Sequence, residues 1–214
     1  MPETSPRRSA LAEVYTVGTF EAETPDGPAV VLTERRPQAI LHLAGPPGDA
    51  DFRDGVRDAI GLDLPLEPNT VTVGEGVTVL WLAPDRWLIV STRHQPRVLD
   101  SGLRDTLSRS RGAVTDVSDG RVVIGIAGRA VREVIAKGCP LDLHPRSFKH
   151  GSSAQSSLAK VNLLLHLVDA EPAFDLYIAR SFAVSIWEWL GEAAGEYGYR
   201  VAPAQEWPAT EGEQ

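Results

Sequence analysis

The residues whose types could do chemistry lie close together between Lys137 and Pro145, where the only cysteine of the chain, Cys139, is followed by Asp142 and His144. A thiol, an imidazole and a carboxylate are the groups of a nucleophilic triad. Two prolines and two leucines in the same span make a compact triad sterically difficult, and catalytic partners usually come from distant segments. We therefore interpret this segment as structural and predict no catalytic residue.

The same segment has the pattern of a helix end. Apolar residues recur at three- and four-residue steps from Gly128 to Lys137, which predicts a helix. Gly138 then suits the left-handed backbone that closes many helices, and the proline after Cys139 cannot continue one. The partial negative charge of a helix C-terminus also disfavours a thiolate, so we expect Cys139 to be a buried packing residue.

Motifs for metal and nucleotide binding are weak. The histidines have no metal-ligand spacing, and Cys139 with His144 and His150 gives only a weak zinc candidate. The glycines at 45–48 and 74–76 have neither the spacing of a dinucleotide site nor the Lys-Ser/Thr ending of a phosphate loop. We predict no metal site and no cofactor-binding residue in this chain.

An internal repeat organises the sequence. Leu41–Gly45, a predicted helix over 51–60 and Gly61–Pro65 are echoed by Ile124–Gly128, the helix that ends at Lys137 and Gly138–Pro145. A strand pair and a second helix follow in each copy. The predicted strand pairs are 77–82 with 87–91 and 161–168 with 174–179, the second helices start near Arg97 and behind Ser181 as N-cap, and strands 16–21 and 113–117 precede the copies.

This order of elements predicts an α+β fold of two tandem ferredoxin-like β/α units. We place the first unit at residues 11–110 and the second at 111–202, between loose tails at 1–10 and 203–214. Trp207 stands out in the C-terminal tail as an indole that is either merely exposed, which we prefer, or an anchor for a partner. A chain of 214 residues buries roughly 70% of its unfolded surface, which is enough for a core without disulfides.

Composition limits the partners and the location. A net charge of -8 and a pI near 5.1 argue against nucleic acid or an anionic membrane as a principal target. Apolar runs stay short of the length that spans a bilayer. A single cysteine excludes an internal disulfide framework, and no secretory signal is readable, so we expect a cytoplasmic protein.

A candidate interface lies in the loop from Leu141 to His150. Its apolar residues Leu143, Pro145 and Phe148 stand beside Arg146, a mixture that suits the core and rim of a protein interface. The alternative is a loop that folds onto its own domain, and composition does not separate the two.

Four stretches of the sequence are distinctive: Trp81–Leu88, Asp116–Val122, Ala136–Pro145, and Arg180–Ala183 leading to Trp187–Leu190. In these stretches the chain resembles a known family, the gamma subunits of heterotetrameric sarcosine oxidase. The resemblance covers about Leu41 to Val201, and Ser156 departs from it where a threonine is expected. It implies a fold like that of the folate-binding aminomethyltransferase T-protein without its C-terminal barrel.

The resemblance also implies a function. Such complexes oxidatively demethylate sarcosine to glycine, with formaldehyde or methylenetetrahydrofolate and hydrogen peroxide as further products. FAD, FMN, NAD and tetrahydrofolate are expected on the partner subunits, which are called alpha, beta and delta. The gamma subunit is expected to support assembly and to have no activity alone.

The alternative is a free-standing folate-binding protein of the aminomethyltransferase type. It needs a carboxylate that pairs with the pterin through two hydrogen bonds. Asp85, Asp116 and Asp142 are the available candidates, and each is better explained as a polar turn or loop residue.

Overall fold

The computed structural model describes residues 8–20 and 27–205, which form twelve strands and four α-helices. The strands are β1 (Gly18–Phe20), β2 (Val30–Arg35), β3 (Ala39–Ala44), β4 (Val71–Gly74), β5 (Val77–Ala83), β6 (Arg86–Ser91), β7 (Ala113–Asp116), β8 (Arg121–Ala127), β9 (Ser153–Leu158), β10 (Val161–Asp169), β11 (Ala173–Ala179) and β12 (Tyr199–Val201). The helices are α1 (Ala50–Ile60), α2 (Pro96–Thr106), α3 (Val131–Ala136) and α4 (Ala183–Ala194).

The strands form two sheets that lie face to face between two pairs of helices. The larger sheet has the order β1-β12-β2-β8-β11-β10-β9, and the smaller has the order β4-β5-β6-β3-β7. One apolar core joins the larger sheet to α3 and α4, a second joins the smaller sheet to α1 and α2, and a third lies between the sheets. The predicted α+β class is therefore confirmed. None of the helices within 8–20 and 27–205 is long and apolar enough to cross a membrane.

Local sequence explains α1, whose predicted bounds agree with the structure to one residue. Asp49 caps its start by accepting a hydrogen bond from the backbone N–H of Asp51 at 3.0 Å. Gly61 ends it in the left-handed conformation, with φ 74°, and donates its N–H to the carbonyl of Arg57. Between these caps, Phe52 and Val56 recur at the helical spacing and are fully buried against the smaller sheet.

The two sheets exchange strands between the predicted units. β2 comes from the first unit but pairs with β8 in the larger sheet, while β7 comes from the second unit but pairs with β3 in the smaller sheet. Each sheet thus contains strands from both sides of the 110/111 boundary, and the division of the chain into two units there stays a prediction. Of the predicted tails, residues 8–10 and 203–205 lie in the described part, where Ser9 donates to Glu34 and Gln205 pairs with Arg35. Trp207 lies outside it.

Two local predictions about helix ends are wrong. Ser181 lies inside a 3₁₀ turn (Arg180–Phe182), and α4 follows it with Phe182 at its N-cap and no side-chain cap. Gly138 is not among the residues with positive φ. A Cβ at Gly138 would lie 2.6 Å from Cζ2 of Trp189, so the glycine is needed because the Trp189 indole packs over the end of α3.

The interface between the sheets, hereafter the seam, contains a row of buried polar residues. Cross-strand pairing places Gly125 between Thr33 and Asp175, Asp175 opposite His166, and His166 opposite Ser153. All four polar side chains are buried. The smaller sheet packs against the seam largely through aliphatic residues such as Leu80 and Leu88, and the hydrogen bond to Asp175 comes from Arg35 of the larger sheet.

Asp175 is the residue of this row whose burial costs the most free energy, because its side chain is a carboxyl group. Its side chain is 1% exposed and its Oδ1 accepts a long hydrogen bond, 3.3 Å, from Nε of Arg35, while Oδ2 has no donor among the described residues. Burial raises the pKa of Asp175 to about 7, against the opposing effects of the Arg35 charge and hydrogen bond. A Cβ at Gly125 would lie 2.7 Å from Nε of Arg35, so this glycine makes room for the pair.

Replacing Trp187 by alanine is expected to lower the free energy of unfolding by about 3 to 5 kcal/mol. Trp187 is 7% exposed, packs in the core of the larger sheet and has its ring 4.9 Å from that of Tyr15, so truncation leaves a cavity. Val184→Ala on the same helix is the control, since Val184 is 37% exposed and should change stability by less than about 0.5 kcal/mol. Chemical denaturation measures both, and a Trp187→Ala midpoint equal to that of the parent would contradict the burial.

Replacing Asp175 by asparagine is expected to change how stability depends on pH. Because the folded pKa of Asp175, about 7, exceeds the ordinary carboxyl value, its protonated form stabilises the fold at low pH, and this contribution is lost as pH rises through 7. The free energy of unfolding of Asp175→Asn relative to the parent should therefore rise from about pH 4 to pH 7, by about 1 kcal/mol per pH unit. Denaturant titrations across this range test it.

His166→Gln supplies the opposite slope in the same experiment. Burial lowers the pKa of His166 from 6.5 to about 4, so its contribution is lost as pH falls through that window. The stability of His166→Gln relative to the parent should fall as pH rises from about 4 to 6.5. If the profiles of the parent and Asp175→Asn ran parallel, the buried carboxyl would not be the titrating group.

Candidate functional site

The structure does not assemble Cys139, Asp142 and His144 into a triad. Cys139 is buried, as predicted, and its Sγ donates to Oγ of Ser156 at 3.7 Å. Asp142 and His144 are exposed. Asp142 accepts hydrogen bonds from the hydroxyl of Ser147 at 2.5 Å and from the backbone N–H of His144 at 3.0 Å, and these bonds, the Ser147 one first, lower its pKa. Both side chains thus hold the turn of the loop.

The loop from 141 to 150 packs on its own domain through its large apolar residues. Leu143 is 4% exposed and Phe148 is 7% exposed, and Phe148 stacks on Phe174 with ring centroids 5.9 Å apart. Leu143 and Phe148 therefore pack in the core of this chain, and the role of the loop in an interface stays a prediction. Pro145 and Arg146 are exposed, and for them a role in an interface stays a prediction.

The zinc candidate gains no support. Across residues 8–20 and 27–205, His, Cys, Asp and Glu side chains form no group of three or more that could hold a metal ion. Cys139 is buried on the core side of the loop, whereas His144 is exposed and His150 is directed to the end of β10, where its Nε2 lies 3.0 Å from the carbonyl oxygen of Val168.

Asp85 is a turn residue, as interpreted from the sequence, whereas Asp116 is the last residue of β7 and holds the turn that follows it. Asp116 accepts hydrogen bonds from the backbone N–H and the hydroxyl of Ser118, at 2.9 and 2.5 Å, in the connection between β7 and β8. Asp85 lies in the turn between β5 and β6, is exposed, and pairs with Arg86 at 3.7 Å.

A cavity of about 600 Å³, hereafter the seam pocket, opens between the sheets and was not predicted from the sequence. Its polar groups come from distant parts of the chain, and leucines of both sheets form its apolar wall. It is lined by His42, Leu82, Leu88, Arg121, Gln155, Ser156, Ser157, Asn162, Leu163 and Leu164.

His42 and Arg121 meet across the seam at this pocket. Arg121 begins β8 in the larger sheet, and its guanidinium donates to Nε2 of His42 on β3 at 3.3 Å. Burial, followed by the charges of Arg121 and Arg86, lowers the pKa of His42, so the imidazole is held neutral. Burial also lowers the pKa of Arg121. Gln155 on β9 closes the other side by donating to the carbonyl of Leu82 at 2.7 Å.

The chemistry of the seam pocket is that of hydrogen bonding. A neutral imidazole, a guanidinium, two amides and two hydroxyls can orient a polar molecule, and no carboxylate is among the residues that line the pocket. The sequence carried no signal for the pair, because His42 and Arg121 are 79 positions apart and lie in separate stretches that nothing in the sequence brings together.

A family profile and a search for similar sequences point to the same family of proteins. A profile described as "Sarcosine oxidase, gamma subunit family" matches residues 44–196. The sarcosine oxidase subunit gamma of Corynebacterium sp. (strain U-96) is 32% identical over 192 residues, which cover 89% of this chain and 91% of that protein.

Two solved structures have backbones that superpose on this chain. One chain of the heterotetrameric sarcosine oxidase from Corynebacterium sp. U-96 superposes with a TM-score of 0.77 and 30% identity, covering 89% of this chain and 96% of that one. The glycine cleavage system aminomethyltransferase T of Bartonella henselae superposes with a TM-score of 0.67 at 12% identity, covering 94% of this chain and 60% of that one, which shows a shared fold alone. The T-protein-like fold that the resemblance implied is therefore confirmed, and the chain belongs to the sarcosine oxidase gamma subunit family.

Proposed function

We propose that this chain is the non-catalytic gamma subunit of a heterotetrameric sarcosine oxidase and supports assembly of that oxidoreductase. The observation that carries the proposal is the agreement with the Corynebacterium gamma subunit and with one chain of the assembled enzyme over nine-tenths of the sequence, 89% in both comparisons. The partners are then the alpha, beta and delta subunits, on which FAD, FMN, NAD and tetrahydrofolate are expected. The substrate of the whole complex is sarcosine.

The roles of the reactive side chains support a structural part in this complex. Cys139 is buried, Asp142 and His144 hold a loop, and Asp85 and Asp116 hold turns. Each of these groups makes its contacts in the core or within its own loop or turn, as expected of side chains that support the fold of a structural subunit. The proposal retains a cytoplasmic location, which rests on the use of a single, unpaired cysteine.

For contact with the larger subunits, we propose the exposed tip of the loop at Pro145 and Arg146. The two buried anchors, Leu143 and Phe148, fix the loop against the core, so its tip is presented on a rigid base. His144 Nδ1 accepts the backbone N–H of Arg146 at 3.2 Å, which sets the direction in which the tip leaves the domain. Arginine is enriched in interfaces because its guanidinium makes several directed hydrogen bonds.

Arg146→Glu is expected to reduce recovery of the assembled complex about tenfold or more when the chain is co-expressed with the alpha, beta and delta subunits, because a charge is reversed at the contact. Arg97→Glu, at an exposed position on α2 behind the smaller sheet, is the matched control and should leave recovery unchanged. Native mass spectrometry of the purified assembly gives partners and stoichiometry together. If the parent chain purifies without the other subunits, the proposed function is wrong. If Arg146→Glu is recovered in the complex as well as the parent, only the proposed contact at the loop tip is wrong.

A second candidate, a free-standing folate-binding protein, is favoured by the seam pocket alone. Its volume, about 600 Å³, and its amide and hydroxyl groups suit a polar heterocycle. The residues do not fit a pterin, however, because the pocket is lined by no carboxylate that could pair with its amine and ring nitrogen. Asp85, Asp116 and Asp142 are engaged in turns elsewhere, so the assembly role is the better supported proposal.

Calorimetric titration of the purified chain with tetrahydrofolate separates the two candidates. We expect no saturable heat, since the pocket lacks the carboxylate. Saturable binding at micromolar concentration that His42→Ala weakens, and that Arg97→Gln leaves unchanged, would instead establish the folate-binding candidate.

A further inference from the structure

A second cleft lies where the chain passes from one sheet to the other. It is bordered by the connection from β2 to β3 at residues 36–38, and by the connection from β7 to β8 at 117–120. Its volume is about 460 Å³. Arg180, which follows β11, closes it from the side, and its backbone N–H donates to the carbonyl of Gly120 at 2.9 Å. We call this site the arginine cleft.

The arginine cleft is basic although the chain as a whole is acidic. Five arginines line it with only two carboxylates, against a net charge of -8 for the full sequence. The arginines are Arg8, Arg35, Arg36, Arg121 and Arg180, and the carboxylates are Glu34 and Asp119. A basic cleft on an acidic protein indicates a site for an anion. The rest of the protein repels an anion at long range, so the cleft has to attract it through direct contacts.

Three of the arginines are compensated by ion pairs. Arg35 pairs with Asp175 at 3.3 Å, and Arg36 pairs with the buried Glu34 at 2.6 Å. Arg8 pairs with Glu13 at 2.9 Å on the rim. These contacts organise the wall of the cleft rather than leave charge for a ligand.

Arg121 and Arg180 are different. Within the described residues neither guanidinium forms an ion pair: Arg121 donates to Nε2 of His42, and Arg180 donates to the carbonyl of Arg8 at 2.6 Å. Arg121 is in addition half-buried, and burying a guanidinium without a counter-charge is costly. A planar guanidinium has five donors, so each of the two retains hydrogen-bonding capacity beyond its single contact.

The two guanidiniums start from neighbouring points of the larger sheet. Ala179 at the end of β11 is the cross-strand partner of Arg121 at the start of β8, and Arg180 follows Ala179 directly. This register places both side chains at the same end of the strand pair, on the wall of one cleft. Guanidiniums present forked N–H donors, which match the paired oxygens of a carboxylate.

We propose that the arginine cleft binds a carboxylate, which Arg121 and Arg180 hold through charge-assisted hydrogen bonds. The carboxylate is carried either by a small organic acid or by an acidic side chain of a partner subunit, and the second source rests on the proposed function. Because Arg121 begins β8 and Arg180 follows β11, the bound carboxylate would link the ends of these two strands and stabilise the fold.

The first arm of the test uses the purified full chain and succinate as the probe. Saturable succinate binding should raise the unfolding midpoint above that in sodium chloride of equal ionic strength, and Arg121→Gln and Arg180→Gln should each weaken the effect about tenfold or more. Arg180 is exposed and is not packed in the seam, so Arg180→Gln keeps the test valid if Arg121→Gln does not fold. Arg57→Gln on α1, which loses the same charge, should behave like the parent.

The second arm measures recovery of the co-expressed complex for Arg180→Gln and Arg57→Gln. Binding of succinate in the first arm identifies a small acid as the source; loss of recovery for Arg180→Gln alone, without a succinate effect, identifies a partner's acidic side chain. Absence of both effects overturns the proposal, and so does phosphate binding more tightly than succinate at the same residues. If the parent chain does not assemble, the proposed function fails, and the succinate arm alone then decides about the cleft.

Discussion

The burial of Asp175 between two sheets is the constraint on which much of the structure depends. The smaller sheet packs against the seam largely through aliphatic side chains, and the counter-charge comes from the same sheet as the carboxyl. Arg35 provides it from β2, by passing over Gly125, a residue without a side chain. This ion pair forms because β2 lies beside β8 in the larger sheet, although β3, the next strand in sequence, belongs to the smaller one.

The same seam organises the surfaces at which the protein could meet other molecules. Arg121 lines both the seam pocket and the arginine cleft, and its contact with His42 is the polar link between the sheets at that point. On the opposite side of the larger sheet, α3 and the loop after it are fixed by apolar packing, with Phe148 stacked on Phe174. The loop tip at Pro145 and Arg146 and the arginine cleft are thus rigidly positioned by one sheet.

Sequence periodicity sufficed for the elements whose apolar residues face a single core. α1, α2 and the strand pairs β5–β6 and β10–β11 lie within two residues of their predicted bounds. β9 was not predicted, because its Ser-Ala-Gln-Ser-Ser-Leu sequence is mostly polar and the strand lies at the edge of a sheet. The exchange of β2 and β7 was also missed, since it is decided by pairing between distant segments. The family was recognised from short motifs, whereas the His42–Arg121 contact had no local signal.

Strand exchange has a consequence for the order in which this chain folds during synthesis. The larger sheet places β12 between β1 and β2, so strands from the two ends of the described chain are immediate neighbours. On the ribosome, the early strands must therefore wait with unpaired edges until nearly all of the protein has emerged. The smaller sheet with α1 and α2 lies within residues 39–116 and has its own core, so this layer can form first, and the larger sheet closes only once β12 has emerged.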